Sequence, residues 1–511
     1  MRFFTKYHKW IGLFFTFFVL MFAISGVFLN HRRAITTWDV ARSWLPKQYS
    51  YNNWNNGAIS GTLPLSGGRV LMYGGSGAWM TDTLGRSPQP LIEGMRRGAD
   101  NRNLRAVTQT ANSELFAVSP FCLYRLKENT NRWEEQSVTT AHEAFTDVQV
   151  KDDTLFVVSR SHIYAAAPPY TTFERIQLQQ PENYTSKVSL FRTFWLLHSG
   201  ELFGTTGKTV VDTVCVLLIV LCFTGLIITL FKIPIKRRKK KGVNSPKLKQ
   251  TWTFSLKWHA KLGYLFFILL LIITVTGMFL RPPLLIPIAR AQVKPLPGST
   301  LESDNPWHDK LRRLRYDDRQ QGWLLSSGDG FYALPSLRSV PQKLTNTPPV
   351  SVMGVTVWQK NGADEWLIGS FSGLYRWNIG EQAVYDYLTG EAVAPRRSSG
   401  RPSFKNAVSG FSSDFSQGEV WFEYAKGACM KEEVAFVPMP DALADGRMSF
   451  WNVCLELHVG RLYYSFMRGL TDWYIFLAGL LMLFLVISGY IVYRKRYRKK
   501  RTTPPKKPTA A

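Results

Sequence analysis

Lys257 to Leu280 reads KWHAKLGYLFFILLLIITVTGMFL, a charged mouth followed by a run from Tyr264 to Leu280 that carries no charge. With the flanking turn, a helix over this stretch is long enough to cross a hydrocarbon core of roughly 30 Å. His259, Gly263 and Gly277 stand at i, i+4 and i+18, and eighteen residues make about five helical turns, so the three share one face. That face is small, closely approachable, and polar at one end. The same spacing opens the chain: in Lys6 to Leu29, KYHKWIGLFFTFFVLMFAISGVFL, the corresponding residues are His8, Gly12 and Gly26.

Four apolar segments stand out, Ile11 to Leu29, Val210 to Phe231, Tyr264 to Leu280 and Trp473 to Tyr493, and they make the chain an integral membrane protein. Its formal charge of +27 over 511 residues is not evenly spread. Lys232 to Lys257 holds ten Lys/Arg and no acid, the tail from Arg494 holds nine more, and Arg2, Lys6 and Lys9 precede the first segment. The positive-inside rule puts all three clusters in the cytoplasm and so both termini inside; they read as topology signals touching anionic lipid, with no nucleic-acid partner. The first segment is too long and lacks the small-residue cleavage site of a signal peptide, so it is expected to be retained.

The expected fold class is mixed: four transmembrane helices in two internally duplicated halves, each half carrying an exterior β-rich domain. The boundaries are helix 1 at 1–31, β domain 1 at 32–190, a membrane-proximal segment with helix 2 at 191–232, and a basic loop at 233–257. Helix 3 follows at 258–281, β domain 2 at 282–450, a second membrane-proximal segment with helix 4 at 451–494, and a basic tail at 495–511. In the β stretches, short apolar runs such as VLMYGGSGAWMTD, LFVVSRSHIYAA and EWLIGSFSGLYRWN alternate with turn residues, as hairpins do. Three hairpin units per half suit the blades of a β-propeller, including a single propeller shared between the halves. The duplication shows again before helices 2 and 4. In LLHSGELFGTTGKTVVD and ELHVGRLYYSFMRGLTD, His198, Gly200, Leu202 and Asp212 align with His458, Gly460, Leu462 and Asp472.

Duplication then supplies two facing pairs, His8 with His259 at the cytoplasmic ends and His198 with His458 at the exterior ends. Ionisable groups near a membrane interior are costly enough to be functional candidates by default. Two imidazoles across a bundle, beside glycine that leaves room for a flat macrocycle, suit bis-histidine ligation of haem iron. The absence of CxxCH means that any haem would be held non-covalently, and the five cysteines show no CxxC pair for zinc or an iron–sulfur cluster. The fourteen residues between His198 and Asp212 would lift the outer pair out of the hydrocarbon were the helix straight, and Gly200, Gly204 and Gly207 are the places to break it. His31 is a substitute ligand or an interfacial residue; His142, His162 and His308 are expected to be ordinary exterior residues. Arg32, Arg33, Arg192, Arg281 and Arg461 suit haem propionates or interface anchoring equally well. Asp212 and Asp472 could orient a histidine, act as relay groups or end a span.

On the YHKWIGL and WHAKLGY openings, the LHSGELFG and ELHVGRLY elements, and the SG or TG near the ends of the first and third segments, the chain resembles the PepSY-associated transmembrane proteins. Among them it is similar to the di-haem ferrisiderophore reductases of bacterial inner membranes. That resemblance implies haem b at both levels, with electrons passing outward from a cytoplasmic or quinol donor to an exterior ferric chelate. No α/β PepSY domain is legible in either β-rich stretch. Two other classes stay open: a membrane sensor or interaction protein whose histidines only pack, and a permease for iron chelate or haem.

Overall fold

A computed structural model describes residues 2–127, 130–138, 143–351, 353–393, 406–431, 435–444 and 446–501. The chain forms two compact units, one helical, from Met1–Arg32, Lys187–Glu302 and Trp451–Ala511, and one of β structure, from Arg33–Ser186 and Ser303–Phe450.

The helical unit contains α1 (Arg2–Asn30), α2 (Leu190–Ser199), α3 (Gly204–Leu230), α4 (Lys232–Lys240), α5 (Pro246–Leu265), α6 (Phe267–Phe279), α7 (Phe450–His458) and α8 (Thr471–Arg501). Three stretches, Arg2–Asn30, Glu201–Lys240 and Arg461–Arg496, are long and apolar enough to cross a membrane, and α5 with α6 makes a fourth if that bent pair is one span. The single helix expected at 258–281 is instead two, turning by 66° at Phe266. No proline sits at the break. It falls where composition changes: α5 carries Lys247, Lys249, Lys257 and Lys261, whereas α6 has no charge, and Gly263, just upstream, has open space where a side chain would be. The basic loop expected at 233–257 is also largely helical, because Lys, Arg and Leu are good helix formers and Pro246 occupies the first position of α5. α1 packs on α3 and α8, α3 on α5, and α8 on α5 and α6. Phe15, Val19 and Ala23, with Val214, Leu218, Leu270, Ala478 and Val486, form the shared core. Phe14, Phe17, Phe223, Ile268 and Leu477 lie exposed on the outer faces, which an apolar solvent accommodates.

In the β unit, six strands, β1 (Gly61–Leu65), β2 (Ala106–Gln109), β3 (Phe145–Lys151), β4 (Leu311–Asp317), β5 (Val355–Asn361) and β6 (Val408–Ser412), each lead an antiparallel meander. Those led by β2, β3, β4 and β5 are separate four-stranded sheets. Those led by β1 and β6 join into one seven-stranded sheet through a parallel pairing of Gly61 with Phe411. Strands such as Leu115–Val118 and Val420–Glu423 are buried at every position, as strands covered on both faces must be. The covering is mutual. Leu71 and Leu115 share a cluster, as do Phe116 and Val157, Phe156 and Leu325, Leu324 and Ile368, Leu367 and Phe411, and Val70 and Phe422. Each sheet thus shares a core with the next, and the last with the first. Residues 32–190 and 282–450 are therefore not two β domains. They complete one unit, because pairing and packing join strands hundreds of residues apart; residues 282–302 belong to the helices, where Gln292–Val293 pairs with Val188–Ser189.

One ion cluster ties β3, β4 and β5. Asp147 is fully buried and accepts from Arg315 Nη1 at 2.6 Å and Leu314 N at 2.9 Å, while Arg313 donates to the carbonyls of Val355 and Thr356. Burial pulls the pKa of Arg313 below its ordinary value, and Asp147 opposes that pull. Asp147→Ala leaves these guanidiniums buried without their carboxylate and is expected to cost about 3–5 kcal/mol. Thermal melts of the full chain should show a lower midpoint, whereas Arg319→Ala, at the exposed Arg319–Asp364 pair, should cost at most about 1 kcal/mol. Equal midpoints for the two variants would contradict this.

Candidate functional site

Four histidines meet as two pairs inside the helical unit. The rings of His8 and His259 have centroids 6.2 Å apart with planes at 82°, and those of His198 and His458 lie 6.4 Å apart at 69°. The outer pair reaches its place because both incoming helices stop immediately after it. α2 is capped by Gly200, and Gly460 follows two residues after α7, each with φ +81°. Gly200 leads into one tight turn, Glu201–Phe203, whereas Gly460 leads into Arg461–Tyr463, a short helix Tyr464–Met467 and a second turn, Arg468–Leu470. The break brings His198 against α6 and His458 against α1 instead of carrying them out along straight spans.

Each imidazole is seated on a neighbouring helix in the same manner. His8 Nδ1 lies 2.8 Å from Ser488 Oγ and His458 Nδ1 lies 2.8 Å from Ser25 Oγ. His259 Nδ1 is 3.0 Å from Thr224 Oγ1 and 3.1 Å from the Leu221 carbonyl. His198 Nδ1 is 3.0 Å from the Ile273 carbonyl and 3.3 Å from Thr276 Oγ1. The four hydroxyls already donate within their own helices, Ser25 to Met21 O, Thr224 to Val220 O, Thr276 to Ile272 O and Ser488 to Leu485 O. Their oxygens are therefore left to accept, which assigns the proton to Nδ1 and leaves Nε2 with a bare lone pair.

The residue after each hydroxyl is glycine. A Cβ added at Gly26, Gly225, Gly277 or Gly489 would stand 3.8, 3.3, 2.8 or 3.3 Å from Cε1 of His458, His259, His198 or His8 respectively. Gly26 and Gly277 thus lie against an imidazole of the pair other than the one to which the histidine of their own apolar segment belongs. Gly12 meets Leu485 at 3.6 Å, and Gly263 faces open space. Eighteen residues separate His8 from Gly26, a rise of about 27 Å, so the two pairs lie at opposite ends of α1.

Sequence reasoning found Ser25-Gly26 and Thr276-Gly277 but missed Thr224-Gly225 and Ser488-Gly489. The signal was available, since each of the four apolar runs carries one such dipeptide. His31 is outside both pairs and bonds Asp212 Oδ2 at 2.8 Å. His162, in the β unit, pairs with Glu143 at 3.2 Å; burial raises the Glu143 pKa, but bonds from Ser159 and His162 outweigh it and hold that carboxyl below its ordinary value. His142 lies outside the described residues. Arg461 forks onto Glu456 through Nε at 3.0 and 2.8 Å, and Arg281 lies in the field of Arg461, Glu456 and Asp472. Arg32 stacks over Trp451 and Arg192 near Trp195, while Arg33 donates to the Glu143 carbonyl within the β unit. All five cysteines are free thiols.

Similar solved structures include the extracellular domain of a hybrid two-component system of B. thetaiotaomicron, 9% identical over 72% of this chain with a TM-score of 0.33, of which the chain covers only 32%. Another is a computationally designed protein, Ika8, at 9% identity, covering 74% of this chain and 97% of its own, with a TM-score of 0.28. PorZ, of the type-IX secretion system of Porphyromonas gingivalis, is 9% identical over 74% of this chain and 48% of its own, with a TM-score of 0.21. Likenesses this weak carry no argument about function. No curated protein matches the chain. The model of the PepSY-associated TM region matches residues 5–496, which takes in both histidine pairs, and the chain belongs to that family.

Proposed function

We propose that the protein carries electrons across a bacterial inner membrane through two b-type haems, one on His8 and His259 and one on His198 and His458, to an exterior ferric chelate. The observation that carries this reading is the ring spacing. A metal–imidazole bond of about 2 Å plus roughly 1.1 Å from nitrogen to ring centre, taken twice, comes to about 6 Å, close to the 6.2 and 6.4 Å found. Among the described residues no group of three or more His, Cys, Asp or Glu forms a metal site, so an iron between two imidazoles would draw its other ligands from a macrocycle. Bound at both pairs, haem would supply reversible one-electron chemistry near each membrane face. The chain's own part is to hold each Nε2 bare and aimed, through Nδ1 contacts that also raise ligand basicity. Arg461, three residues after His458, and Arg281, which feels its charge, suit an acidic group such as a propionate.

The donor is a quinol or a cytoplasmic protein. We read the four apolar stretches as four spans, the paired His-x-Gly and hydroxyl–Gly elements as the mark of an internal duplication, and the six meanders as blades of a single exterior propeller. With both termini cytoplasmic, reporters fused after Lys241 and after Gly380 should report opposite sides of the membrane. Detergent-purified protein should show a Soret band, two haems per chain, and spectral change on reduction; sealed vesicles should reduce a ferric chelate presented outside. A haem-free protein that still folds would favour the sensor or interaction reading and overturn this one.

A further inference from the structure

The geometry points to Ser25, Thr224, Thr276 and Ser488 as positioning residues, each acting through one histidine to fix its tautomer and aim. This deepens the haem reading and rests on it. One arrangement recurs four times. Each of four helices, α1, α3, α6 and α8, presents one hydroxyl to one imidazole Nδ1, at 2.8, 3.0, 3.3 and 2.8 Å, and follows it with the glycine on which that ring lies. Mere packing would not need a hydroxyl at the same atom four times, nor require that hydroxyl's proton to be committed elsewhere each time. A serine or threonine inside a helix often bonds back to its own carbonyls. Here that bond has a second effect: it turns the oxygen into a pure acceptor, so Nδ1 must donate and Nε2 must stay unprotonated. The backbone adds to this, since the Leu221 and Ile273 carbonyls stand one turn before Thr224 and Thr276 and face the same nitrogens.

The arrangement also assigns each hydroxyl to a pair: Ser488 and Thr224 serve His8 and His259, while Ser25 and Thr276 serve His198 and His458. Removing the hydroxyl while keeping the shape, as in Thr224→Val or Thr276→Val, leaves Nδ1 only the Leu221 or Ile273 carbonyl to donate to, which keeps the tautomer but loosens the ring's aim. Second-sphere losses of this kind typically weaken metal retention about 10- to 100-fold. The full-length, detergent-purified protein would be examined as wild type, Ser25→Ala, Thr224→Val, Thr276→Val and Ser488→Ala, together with the hydroxyl-preserving exchanges Ser25→Thr, Thr224→Ser, Thr276→Ser and Ser488→Thr. Haem retention, the two midpoint potentials and the low-spin electron paramagnetic resonance signature would be read for each. The expected result is a shift confined to one haem in each hydroxyl-less variant, the same haem for Thr224→Val and Ser488→Ala and the other for Ser25→Ala and Thr276→Val. Wild-type behaviour should return in the hydroxyl-preserving set. Unchanged potentials and signatures in the hydroxyl-less variants, with haem present, would overturn the positioning role and leave the haem reading standing, as would equal damage from the hydroxyl-preserving exchanges. A wild-type chain that takes up no haem would overturn the reading beneath it.

Discussion

Replacing His259 with alanine is expected to lower haem content from two per chain to one, and His8→Ala to remove or convert the same haem. His198→Ala and His458→Ala should do so for the second. Within a pair the double variant should add little, because loss of either of the two imidazoles that would hold the iron already weakens the site; residues sharing one site are not independent. Across pairs the losses should add, giving a chain with no haem, since the two sites lie at opposite ends of α1. Exterior ferric-chelate reduction should vanish in all four single variants, as a wire fails at either break. His31→Ala provides the internal control: this residue bonds Asp212 and touches neither pair, so haem content should stay at two. Four alanine variants with wild-type spectra and stoichiometry would make the histidines packing residues and end the electron-transfer reading.

The pairs were legible because the sequence states them twice, in two equal spacings from histidine to glycine and two equal spacings from His-x-Gly to aspartate. Hairpins were legible too, since alternation and turn residues are local. What joins them was not. The pairing of Gly61 with Phe411 spans most of the chain, and no window of residues announces it, so one β unit looked like two domains. The turn at Phe266 was hidden for a different reason: the apolar run continues through it unbroken, and the lysines that distinguish α5 from α6 lie on its far side. The hydroxyls of Thr224 and Ser488 sit in runs whose hydrophobicity drew attention to length rather than to their few polar members. Only the placement of an imidazole beside each one gives them meaning.

Gly200→Ala should remove the outer haem and leave the inner one. Gly200 has φ +81°, a conformation that costs a residue with a Cβ roughly 1–2 kcal/mol. The steric demand is harsher than the dihedral: the added Cβ would fall 2.3 Å from the Gly207 carbonyl oxygen and 2.5 Å from its carbon, both backbone atoms that cannot swing aside. The reverse approach is as close, Gly207 placing its own Cβ 2.0 Å from Gly200 O. α2 could then no longer end and fold back where it does, and His198, two residues earlier, would leave its seat against Gly277 and Thr276. Gly460→Ala acts on the equivalent turn, where the Cβ would stand 2.3 Å from Cδ1 of the buried Tyr474 ring. Because that neighbour is a side chain, the loss there should be smaller than at Gly200. Neither change reaches His8 or His259, so the inner haem should keep its spectrum, and far-ultraviolet dichroism should keep its shape. Gly469→Ala, which meets nothing within 4 Å, should leave two haems in place. Retention of both haems in Gly200→Ala would mean that the outer site does not depend on this turn, and the placement of His198 would have to be abandoned.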